Sequence, residues 1–120
     1  MEESILTSIK KLLGIGEEDD TFDTDVIMHI NSILSILQQL GVGPRTGYMI
    51  TGYDDTWSDF MDRTEDDRFN MIKTYVYLRV RLLFDPPTNS FTIDAIKKQY
   101  EEIEWRITVA GDEIRRERGE

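Results

Sequence analysis

The chain has 120 residues, a net charge of −10 and no cysteine. A domain of this size can bury one hydrophobic core, and the lack of cysteine excludes disulfides, thiolate metal sites and a cysteine nucleophile. The acidic start Met1-Glu2-Glu3 lacks the basic segment of a signal peptide, and no apolar run approaches the roughly 18 residues of a membrane span, so we expect neither export nor a membrane protein.

Two amphipathic helices are predicted in the first third of the chain. The first, over residues 3–13, ends at Gly14, and its last turn carries Lys10 and Lys11, as the helix dipole favours. The second, over residues 24–40, is predicted to start at an Asp23 N-cap. Their apolar side chains recur with helical spacing at Ile5, Ile9, Leu12 and Leu13 and at Val26, Ile30, Ile33, Leu37 and Leu40.

The segment 41–63 is the least regular part of the chain, because glycine and proline interrupt it repeatedly. Residues 48–53 are predicted to be a short extended piece, with half of a β-hairpin as one alternative. Residues 57–61 are predicted to form a single helical turn capped by Thr56.

The last two helices are predicted over residues 65–84 and 92–110. The earlier of them is apolar over half its circumference, which is typical of a central helix that contacts several neighbours. Pro86-Pro87 are expected to stop it, and Gly111 is expected to end the following helix.

The predicted fold is therefore all-α. It consists of a small four-helix domain over residues 1–111 with a long central helix and an irregular loop between helices 2 and 3. Residues 112–120 are almost wholly charged and are predicted to be a separate, mobile C-terminal tail.

The pattern of ionisable residues argues against catalysis and metal binding. The only histidine, His29, lies at the edge of an apolar helix face and is interpreted as structural. The acidic run 17–20 fails as an EF-hand loop because Thr24 and Ile30 occupy the positions of the required Gly and Glu. No phosphate-binding glycine loop is present. We therefore predict no enzyme, no metal and no cofactor, with an acidic nuclease as the weaker alternative.

The charge pattern also disfavours binding to nucleic acid, which needs clustered lysine and arginine. The most basic stretch, Arg79 to Arg81, lies inside the apolar central helix rather than on a recognition helix. A helical DNA-packaging or regulatory module thus remains the alternative to a structural role.

Several large or charged side chains point to protein partners instead. Trp105 and Val109 fall on the polar side of the last helix, where an exposed tryptophan is a candidate contact. Arg79 lies between two apolar stripes and needs an acidic partner, either within the chain or across an interface. The loop residues Tyr48, Met49, Ile50, Tyr53 and Trp57 are expected either to fold back on the core or to dock on a neighbour.

Two stretches of the sequence carry a family resemblance. KTYVYLRVRLLFDPPTNSF (73–91) and AIKKQYEEIEWRI (95–107) combine a long helix ending in Phe84-Asp85-Pro86-Pro87 with a further helix ending in Glu104-Trp105-Arg106. In this, the chain resembles the head–tail connector, or adaptor, proteins of tailed bacteriophages. The resemblance extends over residues 1–110.

The resemblance implies a structural virion protein that assembles in the host cytoplasm and resides at the head–tail interface. Connector subunits form a ring, usually of twelve copies, beneath the portal protein. The ring extends the DNA channel and presents a docking surface for the head-closure (stopper) protein and the tail. From the charge pattern, in turn, we expect that acidic walls would let DNA pass without specific binding, which requires the acidic residues at 17–25 or 54–67 to face the channel. The C-terminal segment would dock on the portal, here through Glu113, Ile114, Arg115, Arg116 and Arg118.

Overall fold

The computed structural model consists of helices joined by loops. It describes residues 3–44, 46–61 and 67–117, and of residues 67, 68 and 110–117 the backbone only. The helices are α1 (Ile5–Leu13), α2 (Asp23–Gln39), α3 (Trp57–Phe60), α4 (Asp67–Phe84) and α5 (Ser90–Glu117). No strand occurs in the described ranges, where Ser4 and Thr56 form an isolated bridge. The predicted all-α fold is confirmed.

The central helix is α4, as its two apolar stripes predicted. It packs against α1, α2 and α5, and it buries Ile72, Tyr75, Val76 and Val80 completely. Both α2 and α5 pack against α4 but make no comparable contact with each other, so they occupy different sides of it. The core is one continuous cluster to which every helix contributes.

Helix α1 begins where two separate segments of the chain meet. Ser4 caps it by accepting a hydrogen bond from the Thr7 amide at 3.0 Å. The Ile5 amide donates to the Asp55 carbonyl oxygen at 2.8 Å, which fixes the loop before α3 against the helix start. Gly14 ends α1 in the left-handed conformation, with φ of 82°. The predicted C-terminal stop is therefore confirmed.

The loop before α3 does not form the β-hairpin considered above. Side chains, not a partner strand, satisfy its backbone: the Ile50 amide donates to Asn31 Oδ1 at 2.7 Å, and the Thr51 amide donates to Asp55 Oδ2 at 2.8 Å. The predicted helical turn after it is confirmed, and Thr56 with Asp59 caps it as a capping box.

Gly43 is required where this loop leaves α2. Its φ is 91°, and a Cβ atom there would lie 2.5 Å from the ring of Phe60. Any other residue would have to move that ring, which is buried at 2% exposure. Gly43 therefore permits the loop to cross directly over α3.

Two predicted helix ends differ from the structure. Asp23 is the first residue of α2 and not its N-cap, because its carboxylate faces Lys10 instead of the helix amides. Helix α5 does not end at Gly111 but runs on to Glu117. The residues that follow Gly111 are mostly good helix formers, so one glycine with ordinary helical geometry does not stop the helix. The division of residues 112–120 from the domain stays a prediction.

Candidate functional surfaces

The C-terminal end of α1 contains a buried cation. Lys10 is 1% exposed, and its ammonium lies 2.8 Å from Asp23 Oδ1. The ammonium donates hydrogen bonds to the Tyr53 hydroxyl and to the Asp19 carbonyl oxygen, each at 2.7 Å. The Tyr53 hydroxyl in turn donates to Asp23. The Lys10 side chain thus joins α1, the acidic turn at residues 17–20, the start of α2 and the loop before α3.

The helix-dipole interpretation of Lys10 and Lys11 does not predict this cluster. The signal was present in the spacing: Lys10 follows Leu6 by four residues and so shares the buried side of α1. Lys11 lies in the last turn of α1, as the helix dipole favours, and its exposed side chain pairs with Glu3 and Glu17.

The acidic turn is organised by its carbonyl groups. The carbonyl oxygens of Glu17 and Asp19 face Lys10, while the side chains of residues 17–20 are all exposed. Asp19 also accepts a hydrogen bond from the Thr21 amide at 3.1 Å. The turn therefore presents acidic side chains to solvent on a fixed backbone.

The ion pair shifts the pKa values of both partners. Burial alone would raise the pKa of Asp23, but the contacts with Lys10 and Tyr53 outweigh burial and lower it. Burial likewise opposes the charge on Lys10, yet Asp23 and Tyr53 raise its pKa above the ordinary value. Both groups are therefore held in their charged forms at neutral pH.

We expect this pair to make stability fall in acid. A carboxylate with a lowered pKa contributes its full stabilisation above its unfolded-state pKa of about 3.9. That contribution is lost as the pH drops through the folded-state value of Asp23. Urea unfolding from pH 7 to pH 2 should show a steeper loss for the natural chain than for Lys10→Met/Asp23→Leu. Equal pH dependence in the two proteins would contradict the proposed linkage.

A second polar cluster joins α4 to α5. Arg79 Nη1 lies 3.3 Å from Glu104 Oε2, and the Tyr75 hydroxyl donates to the same oxygen at 2.6 Å. The guanidinium also stacks over the ring of Tyr100, 4.5 Å from its centroid. Of the two alternatives for Arg79, the acidic partner within the chain is confirmed.

These contacts also argue against the central helix as a DNA reader. Arg79 is engaged with Glu104, and Arg81 donates to the Tyr77 hydroxyl at 3.3 Å. Side chains already bonded inside the fold are not arranged as a row of phosphate contacts.

Some side chains of the loop at residues 48–57 fold back on the core, and others stay exposed and available to a neighbour. Ile50 and Trp57 fold back on the core, each 1% exposed, and the Trp57 indole donates to Ser8 Oγ at 2.9 Å. Tyr48 is half-buried. Met49 and Tyr53 remain exposed, at 69% and 45%. Ile50 and Trp57 are thus unavailable as contact residues while the loop keeps this conformation.

The outer side of α5 exposes three large apolar side chains. Trp105 is 67% exposed and Val109 is 37% exposed, in the positions that the sequence predicted. Phe91, at 84%, was not singled out, although it lies in the first turn of the same helix. The predicted portal-contact residues 113–116 continue α5, with only their backbone described, and Arg118 lies outside the described residues.

Two open depressions lie on the described surface. One, of about 280 Å³, lies between the end of α1 and the second half of α4. The other, of about 660 Å³, follows α2 beside residues 47–49. Neither is lined by Lys10, Asp23 or Tyr53. His29 is partly buried and lines neither.

The described part of the chain has neither a metal-ligand cluster nor a membrane-spanning helix. Among the described residues, no three His, Cys, Asp or Glu side chains are grouped so that they could hold a metal ion. Within the same part of the chain, no helix is both long and apolar enough to cross a bilayer.

The fold and its surfaces define a small helical protein whose described ionisable clusters serve internal packing and whose exposed apolar side chains suit protein contacts. The family model described as phage connector protein matches residues 5–114. The chain belongs to this family, which confirms the resemblance, and it is a structural head–tail connector of a bacteriophage. The family is structural and is not known for enzymatic activity. No curated protein and no solved structure matches the chain.

Proposed function

We propose that copies of this chain form a ring, with twelve as the expected number, directly beneath the portal protein. The ring continues the DNA channel and offers its far side to the head-closure protein and the tail. The observation that supports this most is the family match over residues 5–114, which implies association with head and tail proteins such as the portal. The protein would assemble in the host cytoplasm and remain at the head–tail interface of the virion.

The surface of the chain suits this role in two respects. Met49, Phe91 and Trp105 are each at least 67% exposed, which leaves large apolar side chains for partners. The exposed acidic turn 17–20 would repel the phosphate backbone if it faced the channel, and DNA would then pass without being held.

The direct test mixes the full chain with purified portal and examines the particles by negative-stain electron microscopy. We expect an additional ring of density on one end of the portal. Portals that remain unchanged at saturating concentrations of the chain would contradict the proposal. A gel shift retained at about 150 mM salt would instead revive the DNA-packaging alternative.

Deleting residues 112–120 should abolish portal binding and leave the fold intact. Ile107 is the last buried side chain described, so the deletion removes no described part of the core. We expect far-UV circular dichroism to lose only the end of α5, and the free energy of unfolding to change by less than about 0.5 kcal/mol.

The matched control for the deletion is Arg115→Glu/Arg116→Glu, which keeps the chain length but reverses two charges. It should also weaken portal binding, by at least about tenfold, and more so at low salt. A truncated chain that binds the portal normally would show that the C-terminal segment is not the portal contact.

A further inference from the structure

The groove along α2 has an unusual lining. None of the residues around it is charged at neutral pH, although 32% of the whole chain is charged. Met28 and Met49, two of its lining residues, are exposed, at 57% and 69%. Ser32 and Ser35 add two small side chains to the lining. Interface cores are depleted of charge, and small residues allow close approach of a helix, so this groove suits the apolar face of another helix.

The outer face of α5 carries three exposed apolar side chains along one side of the helix. With 3.6 residues per turn, Phe91, Trp105 and Val109 fall within about 40° of one another around the helix axis. We call these three side chains the α5 ridge. All three are exposed, and Trp105 in particular is the residue type that most often dominates interface energy.

The groove and the ridge lie on different sides of the same molecule. Helix α2 and helix α5 each pack on α4 and make no comparable contact with each other. One copy can therefore use both surfaces at once, with one neighbour on each. Contacts between two different surfaces of identical chains generate rings when the rotation closes.

The charge distribution favours contact between unlike surfaces. Residues 1–61, which form the groove, hold eleven acidic and three basic side chains, whereas residues 69–109, which carry the ridge, hold five acidic and six basic ones. Two grooves facing each other would bring two strongly acidic halves together, which like-charge repulsion opposes. A ridge facing a groove brings a nearly neutral half against an acidic one.

From these observations we propose that the α5 ridge of one copy inserts into the α2 groove of the next, as the repeating contact between subunits. The inference deepens the proposed function, since it names the surfaces that would close the ring. Tyr48 and Met49 then lie on one side of the contact, and Trp105 and Val109 lie on the other.

Cysteine cross-linking tests the contact cleanly because the chain has no cysteine of its own. Ser35→Cys places a thiol in the groove, and Val109→Cys places one beside Trp105 on the ridge. Mixed and oxidised in solution, the two variants should give at least about tenfold more mixed dimer than either gives alone. Ser32→Cys is a second groove position that covers a shift in register. The contact is excluded if neither groove position cross-links to Val109→Cys above the level of the single variants.

A complementation experiment separates unlike from like surfaces. Ser35→Arg fills the groove and leaves the ridge, whereas Trp105→Lys alters the ridge and leaves the groove. Each variant alone should show at least about tenfold weaker self-association, while an equal mixture should form a dimer that cannot extend. A mixture that stays as dissociated as its components overturns the proposal. Circular dichroism of each variant confirms that these surface changes leave the helices folded.

The same cysteine pairs on purified portal distinguish this inference from the proposed function. Rings that form on the portal without the Ser35–Val109 cross-link would overturn the groove-and-ridge contact and leave the connector ring standing. Cross-linking in solution with no density on the portal would support the contact and contradict the position beneath the portal.

Discussion

Replacing Lys10 by alanine should lower the free energy of unfolding by about 3–5 kcal/mol, which is the usual effect of removing one partner of a buried ion pair. The Asp23 carboxylate would lose the ammonium 2.8 Å away, and the hydroxyl of Tyr53 and the carbonyl oxygen of Asp19 would each lose a donor. Since small domains are stable by about 5–15 kcal/mol, this loss is a large share of the total. Urea denaturation followed by circular dichroism measures it.

The neighbouring lysine provides a matched control. Lys11→Ala removes two ion pairs, with Glu3 and Glu17, but this side chain is 51% exposed. Exposed pairs contribute little, so we expect less than about 1 kcal/mol. Lys10→Met/Asp23→Leu removes both buried charges together and should be more stable than Lys10→Ala. Similar losses for Lys10→Ala and Lys11→Ala would show that burial of the pair does not matter.

Trp57→Ala should destabilise the protein by about 3–5 kcal/mol, as is typical of a large side chain removed from a core. Trp57 is 1% exposed, its indole donates to Ser8, and its ring meets Phe69 edge to face at 5.9 Å between centroids. If the alanine variant does not fold, Trp57→Phe keeps much of the volume and should lose about 1–3 kcal/mol through the missing hydrogen bond and the smaller ring.

The second tryptophan is the control. Trp105→Ala removes a side chain that is 67% exposed, so its unfolding free energy at low protein concentration should change by less than about 0.5 kcal/mol. The fluorescence of Trp105→Phe, which reports Trp57 alone, should be shifted to the blue relative to the natural chain. Comparable losses from the two alanine substitutions would mean that the assigned burial is wrong.

Periodicity located the helices well because each one has a face that must be buried. The stripes of α4 predicted both its length and its central place, and Gly14 and Pro86-Pro87 ended their helices as expected. Local signals of this kind depend on residues within one or two turns of each other. For the same reason, the Thr56 cap could be recognised from a short stretch of sequence.

Most of the features that sequence reasoning missed depend on residues far apart in the chain. Lys10 is buried only because Asp23 and Tyr53 approach it from two other segments. The loop at residues 48–53 does not form a hairpin because the side chain of Asn31, on α2, forms hydrogen bonds with the backbone of Ile50. Gly111 resembled a stop, yet the residues after it support continued helix. In each case a tertiary contact or a neighbouring propensity outweighed the local signal.

The candidate surfaces were predictable in part. Exposure of Trp105 followed from its place among polar neighbours, and the need of Arg79 for an acid was met by Glu104. The sequence does not predict the groove along α2, because one side of it is made by residues 47–49, whose path no periodicity fixes.

The attachment of α1 to the segment around α3 sets an order for folding during synthesis. Ile5 bonds to Asp55, Ser8 to Trp57 and Lys10 to Tyr53, so these partners of the first helix are translated more than forty residues after it. An emerging α1 can pack against α2, but its contacts with the segment around α3 form only after that segment has left the ribosome, and they close a long loop, which is slow. Amide protection in α1 should therefore appear late in refolding, after the neighbouring pair α4 and α5 has formed.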